Sequence, residues 1–350
     1  MEPRRACSRW LAPAAHAAAA GLALSLSGCN VSIGIGSFDD ADAMIDPGNA
    51  SSAVAASFDT LAALAGPVLG ISDEPIRVPA GERPRRALAT GTFDWLEWAA
   101  PLRGAALPVS GGRFSSARTL ACNSGSVRVT AVFLNSAVFG AGDTIELDAA
   151  GCRFGSVRFD GRVTMSVVSA SGYPGTSAAW NARVSVGFSG WRTETVTLPL
   201  QARTVGGTAV LDARRVDALE AGIDFDSPAL SIDPVVSGTA RPRRTVELLS
   251  LRLDVGFSGD RVSGDFDLRD GRFAGTDLAL LGARTEGEMA LPASPPAFPL
   301  GVLLVRAPDE SGVRADAFDA TQIRLELDRF LDGSIDATQL TDWSRLRALL

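Results

Sequence analysis

The chain reads as mainly β: an antiparallel meander forming a sandwich or a curled sheet, with one short N-terminal helix. Three observations lead there. From about Gly91 onward apolar residues recur with a period of two, in short runs rich in valine, threonine and leucine. Glycine-containing pairs of the hairpin type punctuate those runs: Asp160-Gly161, Gly259-Asp260 and Asp270-Gly271. Helical periodicity stands out only before that region, between Ser51 and Ala65.

In chain order, the helix comes first. "SSAVAASFDTLAALA" places Val54, Phe58, Leu61 and Leu64 at spacings of four and three, and Gly66-Pro67 ends it. Pro75, Pro79 and Pro84, with Arg83, Arg85 and Arg86, make the following stretch a loop, so residues 51–90 form a short helix and a Pro/Arg-rich connection. In "FDWLEW", Phe93 to Trp98, three aromatics suit either a surface patch or the edge of a core strand or helix.

The β domain then occupies residues 91–350. In "SVRVTAVF" Val127, Val129, Ala131 and Phe133 share a face, and in "TIELDA" Ile145 and Leu147 oppose Glu146 and Asp148. "RVSVGF", "LRLDVGF" and "TQIRLELD" repeat this one-sided alternation, which marks half-buried antiparallel strands rather than βαβ units. On the order of a dozen strands are expected. Segments 183–206 and 252–275 align at an offset of 69 with nine identities, including Val186, Gly187, Phe188, Ser189 and Gly190. They read either as a duplicated strand-turn-strand unit or as coincidence among strands of similar composition.

The first residues carry an address. Arg4, Arg5 and Arg9 precede a charge-free stretch from Leu11 to Leu26 that is dominated by alanine and leucine, the order of a charged n-region and an apolar h-region. A membrane-spanning helix is the competing reading, but Pro13, His16 and many alanines make a poor span. Leu26-Ser27-Gly28-Cys29 then resembles the lipobox of bacterial lipoproteins. That resemblance implies removal of residues 1–28 as a signal peptide and lipidation of Cys29, whose acyl chains would hold the protein on a bilayer at about 0.8 kcal/mol per buried methylene. Asn30 stands in place of the aspartate that resembles an inner-membrane retention signal, which implies the outer membrane if the cell has two. Residues 29–50, small, polar and acidic, read as a flexible tether.

Composition restricts the chemistry of what remains. Formal charge is −7 for the full chain and becomes −9 once the leader's three arginines and Glu2 are gone, which argues against a nucleic-acid partner. All 33 basic residues are arginine, and the single histidine, His16, lies in the leader. A mature chain without imidazole or lysine amine has no Ser-His-Asp site, no histidine zinc site, no PLP lysine and no Walker lysine. Of four cysteines, the lipobox resemblance implies that Cys7 would leave with the leader and that Cys29 would be lipidated. Cys122 and Cys152 then form a pair in an oxidising compartment, read as a disulfide, because a catalytic thiol would lack a histidine to activate it.

Carboxylates are the remaining route to acid-base catalysis. Glu146, Asp148, Glu194, Asp254, Asp265 and Asp267 lie in strands, but most alternate with apolar residues and so belong on the solvent face. A body with one tyrosine, Tyr173, and five tryptophans after Trp10 is also a poor platform for sugars. "DRFLDGSIDATQ", from Asp328, partly fits a calcium loop, with Asp328, Asp332 and Asp336 as weak candidates. Phe330 stands at position 3 and Gln339 replaces the bidentate glutamate at position 12, so an Asp-Gly turn is the competing reading.

The body is also similar to uncharacterised β-rich lipoproteins of proteobacteria, on Cys122, Gly142-Asp143, Cys152, Asp332-Gly333 and Trp343. That group implies location, not activity. The expectation is a lipid-anchored envelope protein of the outer membrane, its body facing the periplasm, not an enzyme and without a cofactor. Its role would be interaction or structure, with the membrane and an envelope protein as partners; the alternative is a carrier of lipid or another apolar ligand in a curled-sheet cavity.

Overall fold

Alternation of buried and exposed side chains builds one antiparallel sheet. The computed structural model describes residues 44–64, 95–96, 99 and 102–349, except 136, 155–156, 175–176, 196–200, 218–219, 237, 241–242, 259–260, 275–279, 292–299, 320 and 331. Residues 1–43, with Cys29 and the expected leader, lie outside the described residues, as does the whole Pro/Arg-rich stretch with Gly66-Pro67. Among the described residues seventeen strands run in chain order, beginning with β1 (Leu107–Val109), β2 (Arg113–Ala121), β3 (Ser124–Phe133) and β4 (Thr144–Phe154). The longest follow: β5 (Val157–Ser171), β6 (Trp180–Thr195), β7 (Gln201–Arg215), β8 (Glu220–Val236), β10 (Arg244–Ser258) and β11 (Arg261–Ala274), with the two-residue β9 (Thr239–Ala240) between β8 and β10. The last quarter holds β12 (Leu280–Thr285), β13 (Met289–Leu291), β14 (Gly301–Arg306), β15 (Gly312–Ala317), β16 (Gln322–Asp328) and β17 (Ala337–Asp342).

Almost every pairing joins neighbours along the chain. β1 to β8 follow one another, β8 pairs with β9 and β10, β11 pairs with both β12 and β13, and β12 passes to β14 and so to β17. Among the described residues β1 and β17 each pair on one side only, so the sheet is open, and a single sheet takes the place of a two-sheet sandwich.

Long strands replace the expected dozen short ones for an identifiable reason. Asp160-Gly161 and Asp270-Gly271, read as hairpin turns, are β-bulges inside β5 and at the β10–β11 irregularity, where the register shifts. Gly161 has φ 100°, and a Cβ there would lie 2.2 Å from the carbonyl oxygen of Gly190, itself at the bulge of β6. Only glycine lets the two strands approach so closely. Gly259-Asp260 lies outside the described residues; on either side of it Ser258 of β10 pairs with Arg261 of β11. Within segments 183–206 and 252–275, Ser189 and Gly190 lie at a bulge in mid-strand of β6, whereas Ser258 is the last residue of β10.

The inner face of the sheet is apolar. Val127, Val129, Ala131 and Phe133 of β3 are buried, as are Ile145 and Leu147 of β4 and Ile323, Leu325 and Leu327 of β16. Against that face lies α1 (Ala50–Leu64), which touches β7 as well as β12, β14, β15 and β16. Strands so distant along the meander reach one helix only because the sheet curls around it. α1 is buried on nearly all sides: Ala53, Val54, Ala55, Ala56, Ser57, Thr60 and Leu61 lie in the core. Its hydroxyls are satisfied within the helix, Ser57 Oγ donating to the Ala53 carbonyl at 2.9 Å and Thr60 Oγ1 to that of Ala56 at 2.7 Å. A second helix, α2 (Trp343–Ala348), closes the chain, and Phe58 meets Trp343 edge to face with centroids 4.5 Å apart.

The expected tether boundary at residue 50 moves to Met44. Ile45 is fully buried, and its backbone N–H donates to Ser311 Oγ at 2.7 Å. Asp46 and Asn49 then cap α1 reciprocally: Asp46 Oδ1 accepts the Asn49 N–H at 3.0 Å and Asn49 Oδ1 that of Asp46 at 2.8 Å. A mostly polar sequence concealed an anchor that depends on one isoleucine and a cap.

Candidate functional site

Cys122 and Cys152 are joined, with Cα atoms 5.4 Å apart. Cys122 directly follows β2, and Cys152 lies beyond a bulge in β4 that carries Gly151. The bond therefore fastens the β2–β3 turn to the next strand. Cys152 is buried. Gly125, at φ 69°, packs so tightly beneath this bulge that a Cβ would stand 2.3 Å from the Gly151 carbonyl oxygen.

The strand carboxylates whose side chains are described take the outer face and lie near arginine. Arg162 lies 3.7 Å from both Glu146 and Asp148, and Arg192 lies 3.3 Å from Glu194. Arg214 bridges Asp224, at 2.7 Å, and Asp254, which also accepts from Arg252 Nε at 2.7 Å. Asp267 accepts from Thr285 Oγ1 at 2.7 Å and lies 3.5 Å from Arg269. The side chain of Asp265 lies outside the described residues. Further along, Arg314 joins Glu286 and Glu326, and Arg324 joins Asp316 and Glu326. Carboxylates engaged this way on an open face are structural partners, and each exposed pair contributes about 0 to 1 kcal/mol.

In the Asp328–Asp336 loop the carboxylates serve the backbone instead of converging on a cation. Asp328 accepts the N–H groups of Phe330, Asp332 and Gly333 at 2.9 to 3.2 Å. Asp332 accepts that of Ser334 at 2.8 Å, and Asp336 that of Arg329 at 2.7 Å. Among the described residues no three acidic, cysteine or histidine side chains are grouped as a metal site. The Asp-Gly turn is therefore the reading the geometry favours over the calcium loop.

In the aromatic segment "FDWLEW", Trp95 and Leu96 have helical backbone and are buried, Trp95 meeting Trp191 edge to face at 5.4 Å. Phe159 stacks on the other side of Trp191, at 5.9 Å. Trp95 is thus core, not surface.

Two features escaped the sequence reading. Asp143, buried, accepts the N–H groups of Leu134 at 2.8 Å and Gly140 at 2.9 Å and so fixes the β3–β4 loop. Beside it Phe139 packs on Tyr173, with Arg103 over the phenol ring, 4.4 Å from its centre. Burial pushes the Tyr173 phenol above its usual range, and the Arg103 guanidinium works against that shift. The second feature is an open cleft of about 480 Å³ lined by Thr321, Gln322, Leu340, Asp342, Trp343 and Arg345, among others. It lies where β17 turns into α2. The one signal for it was Trp343 next to a run of polar residues.

No family model, curated protein or solved structure matches this chain. The described geometry therefore stands on its own: an open, curled sheet filled by its own helix, an outer face of arginine-carboxylate pairs, and a disulfide bracing the first hairpins. Among the described residues no helix is long and apolar enough to cross a membrane.

Proposed function

We propose that this chain is a lipid-anchored envelope protein, held through Cys29 at the outer membrane with its body in the periplasm, and that the body acts by interaction or as structure rather than by catalysis. The leader and Leu26-Ser27-Gly28-Cys29 support the address. The observation that carries the role is the position of α1: the concave apolar face, where a curled sheet would take a ligand, is occupied by the chain's own helix. What the body presents outward is the arginine-carboxylate face and the edges of β1 and β17, which among the described residues pair on one side only. The carboxylates of the outer face pair with arginines, which supports a non-enzymatic reading.

The carrier reading keeps one specific support. α1 fills the curl with alanine, serine and threonine, whose hydroxyls bond within the helix. Such a plug leaves the sheet without breaking a polar contact through those hydroxyls.

Mass spectrometry tests both. The N-terminal peptide of protein isolated from its own cells is expected to begin at acylated Cys29, and a chain retaining residues 1–28 with a free thiol would sink the anchor. The full chain with Cys29→Ser, made in the periplasm and sprayed under native conditions, is expected to carry no small molecule. An apolar species that leaves on denaturation would replace the interaction role with the carrier role.

A further inference from the structure

The loop from Asp328 to Asp336 has an unexplained property: it is tightly built, yet it displays apolar side chains to solvent. Phe330 is 72% exposed and Ile335 57%. Neither is a loose end, because Asp328, Asp332 and Asp336 gather five loop N–H groups between them and the Asp336 N–H closes the base on the Leu327 carbonyl at 2.8 Å. A loop held by its own carboxylates keeps two apolar groups in water at a standing cost.

The loop also stands beside the point where the chain enters the body. Ile45 is bonded to Ser311, and the next residue, Gly312, is the register partner of Asp328. From Ile45 back to Cys29 the sequence spans sixteen residues. Extended, that reaches about 55 Å, and as a flexible coil roughly 20 Å. An acylated Cys29 therefore keeps this end of the sheet within reach of its bilayer.

We propose that Phe330 and Ile335 form a lipid-contact wedge that seats this end of the sheet on the surface of the bilayer holding Cys29. The proposal rests on the lipid-anchor reading for its biological setting. Two side chains are too few to hold a protein on a membrane, but they suffice to orient one already tethered. The charge of the loop selects the surface. Three aspartates against Arg329 give it a negative balance, so a zwitterionic surface rich in phosphatidylethanolamine is accepted and one rich in anionic lipid is repelled. Phe318, half exposed at the opposite end of β15, stays in water.

The test uses the full chain with Cys7→Ser and an intact Cys122–Cys152 bond, coupled through Cys29 to a maleimide lipid in phosphatidylethanolamine/phosphatidylcholine vesicles. Tethering is then independent of whether cells acylate Cys29, which the mass of the N-terminal peptide reports separately. Phe330→Trp and Phe318→Trp each add an indole to the wild-type background. Brominated acyl chains are expected to quench the added emission at 330 by roughly half and to leave that at 318 unchanged. Replacing phosphatidylcholine with phosphatidylglycerol is expected to weaken the quenching at 330. Equal quenching at both positions, or none at 330 in protein shown to be tethered, overturns the wedge; none at 330 would leave an envelope protein as the occupant of the loop.

Discussion

Phe58 of α1 and Trp343 of α2 meet edge to face with ring centroids 4.5 Å apart, although nearly the whole described chain separates them. This contact joins the first helix to the last. Truncation by Phe58→Ala removes an aromatic pair and leaves a gap against a buried indole. The expected cost is about 2 to 4 kcal/mol, read as a lower urea midpoint with unchanged slope, together with a shift in tryptophan emission.

The Cys122–Cys152 bond closes a loop of 30 residues. In the chain-entropy view its removal by the double variant Cys122→Ser/Cys152→Ser costs roughly 3 to 4 kcal/mol. Urea unfolding of the variant and of reduced wild type should give matching losses. A loss well under 1 kcal/mol in both would mean that the β2–β4 region is held by its ladder alone.

Two glycines that face each other separate steric from conformational cost. Gly161→Ala forces a methyl group against the Gly190 carbonyl, whereas at Gly190, φ 61°, a Cβ meets nothing within 4 Å. Gly190→Ala should therefore cost about 1 kcal/mol, the left-handed penalty, and Gly161→Ala about twice that or more. Equal losses in thermal or urea unfolding would contradict the close approach of β5 and β6.

The Asp332 carboxyl is held below its ordinary value of 3.8 by the Ser334 hydroxyl and backbone N–H that bond to it. A depressed folded value means that the contribution to stability is present above the unfolded value and is lost as pH falls through the folded one. The contact between Asp332 and Ser334 should therefore persist through pH 4 and be lost only in more acidic solution. The Ser334 amide shift, followed by NMR from pH 6 to pH 2, should titrate below 3.8 and lose this step in Asp332→Asn.

Much of the sheet was legible because one face is buried. Val127, Val129, Ala131 and Phe133 lie inside, as alternation requires, while Glu146 and Asp148 lie outside next to Arg162. Bulges were not legible: Asp160-Gly161 has the composition of a turn, and only the approach of Gly190 on another strand makes it a kink in a continuous one. Ile45 was hidden for a related reason, since its partner Ser311 is 266 residues away. The Asp328 loop shows the converse. Aspartates spaced for a cation are also spaced for turn N–H groups, and Phe330 at position 3, with Gln339 in place of the bidentate glutamate, told against the cation.

The seating of α1 sets the order in which the molecule becomes whole. Each hairpin of the meander can close as soon as its own two strands exist, but the helix made before all of them rests on β12, β14, β15 and β16 as well as β7. A chain delivered N-terminus first thus carries an unhoused helix until its final quarter arrives. Truncation near Gly301 would leave many of the early strands able to pair while stranding α1. A copy that stops before β14 would carry this helix without most of the strands that house it.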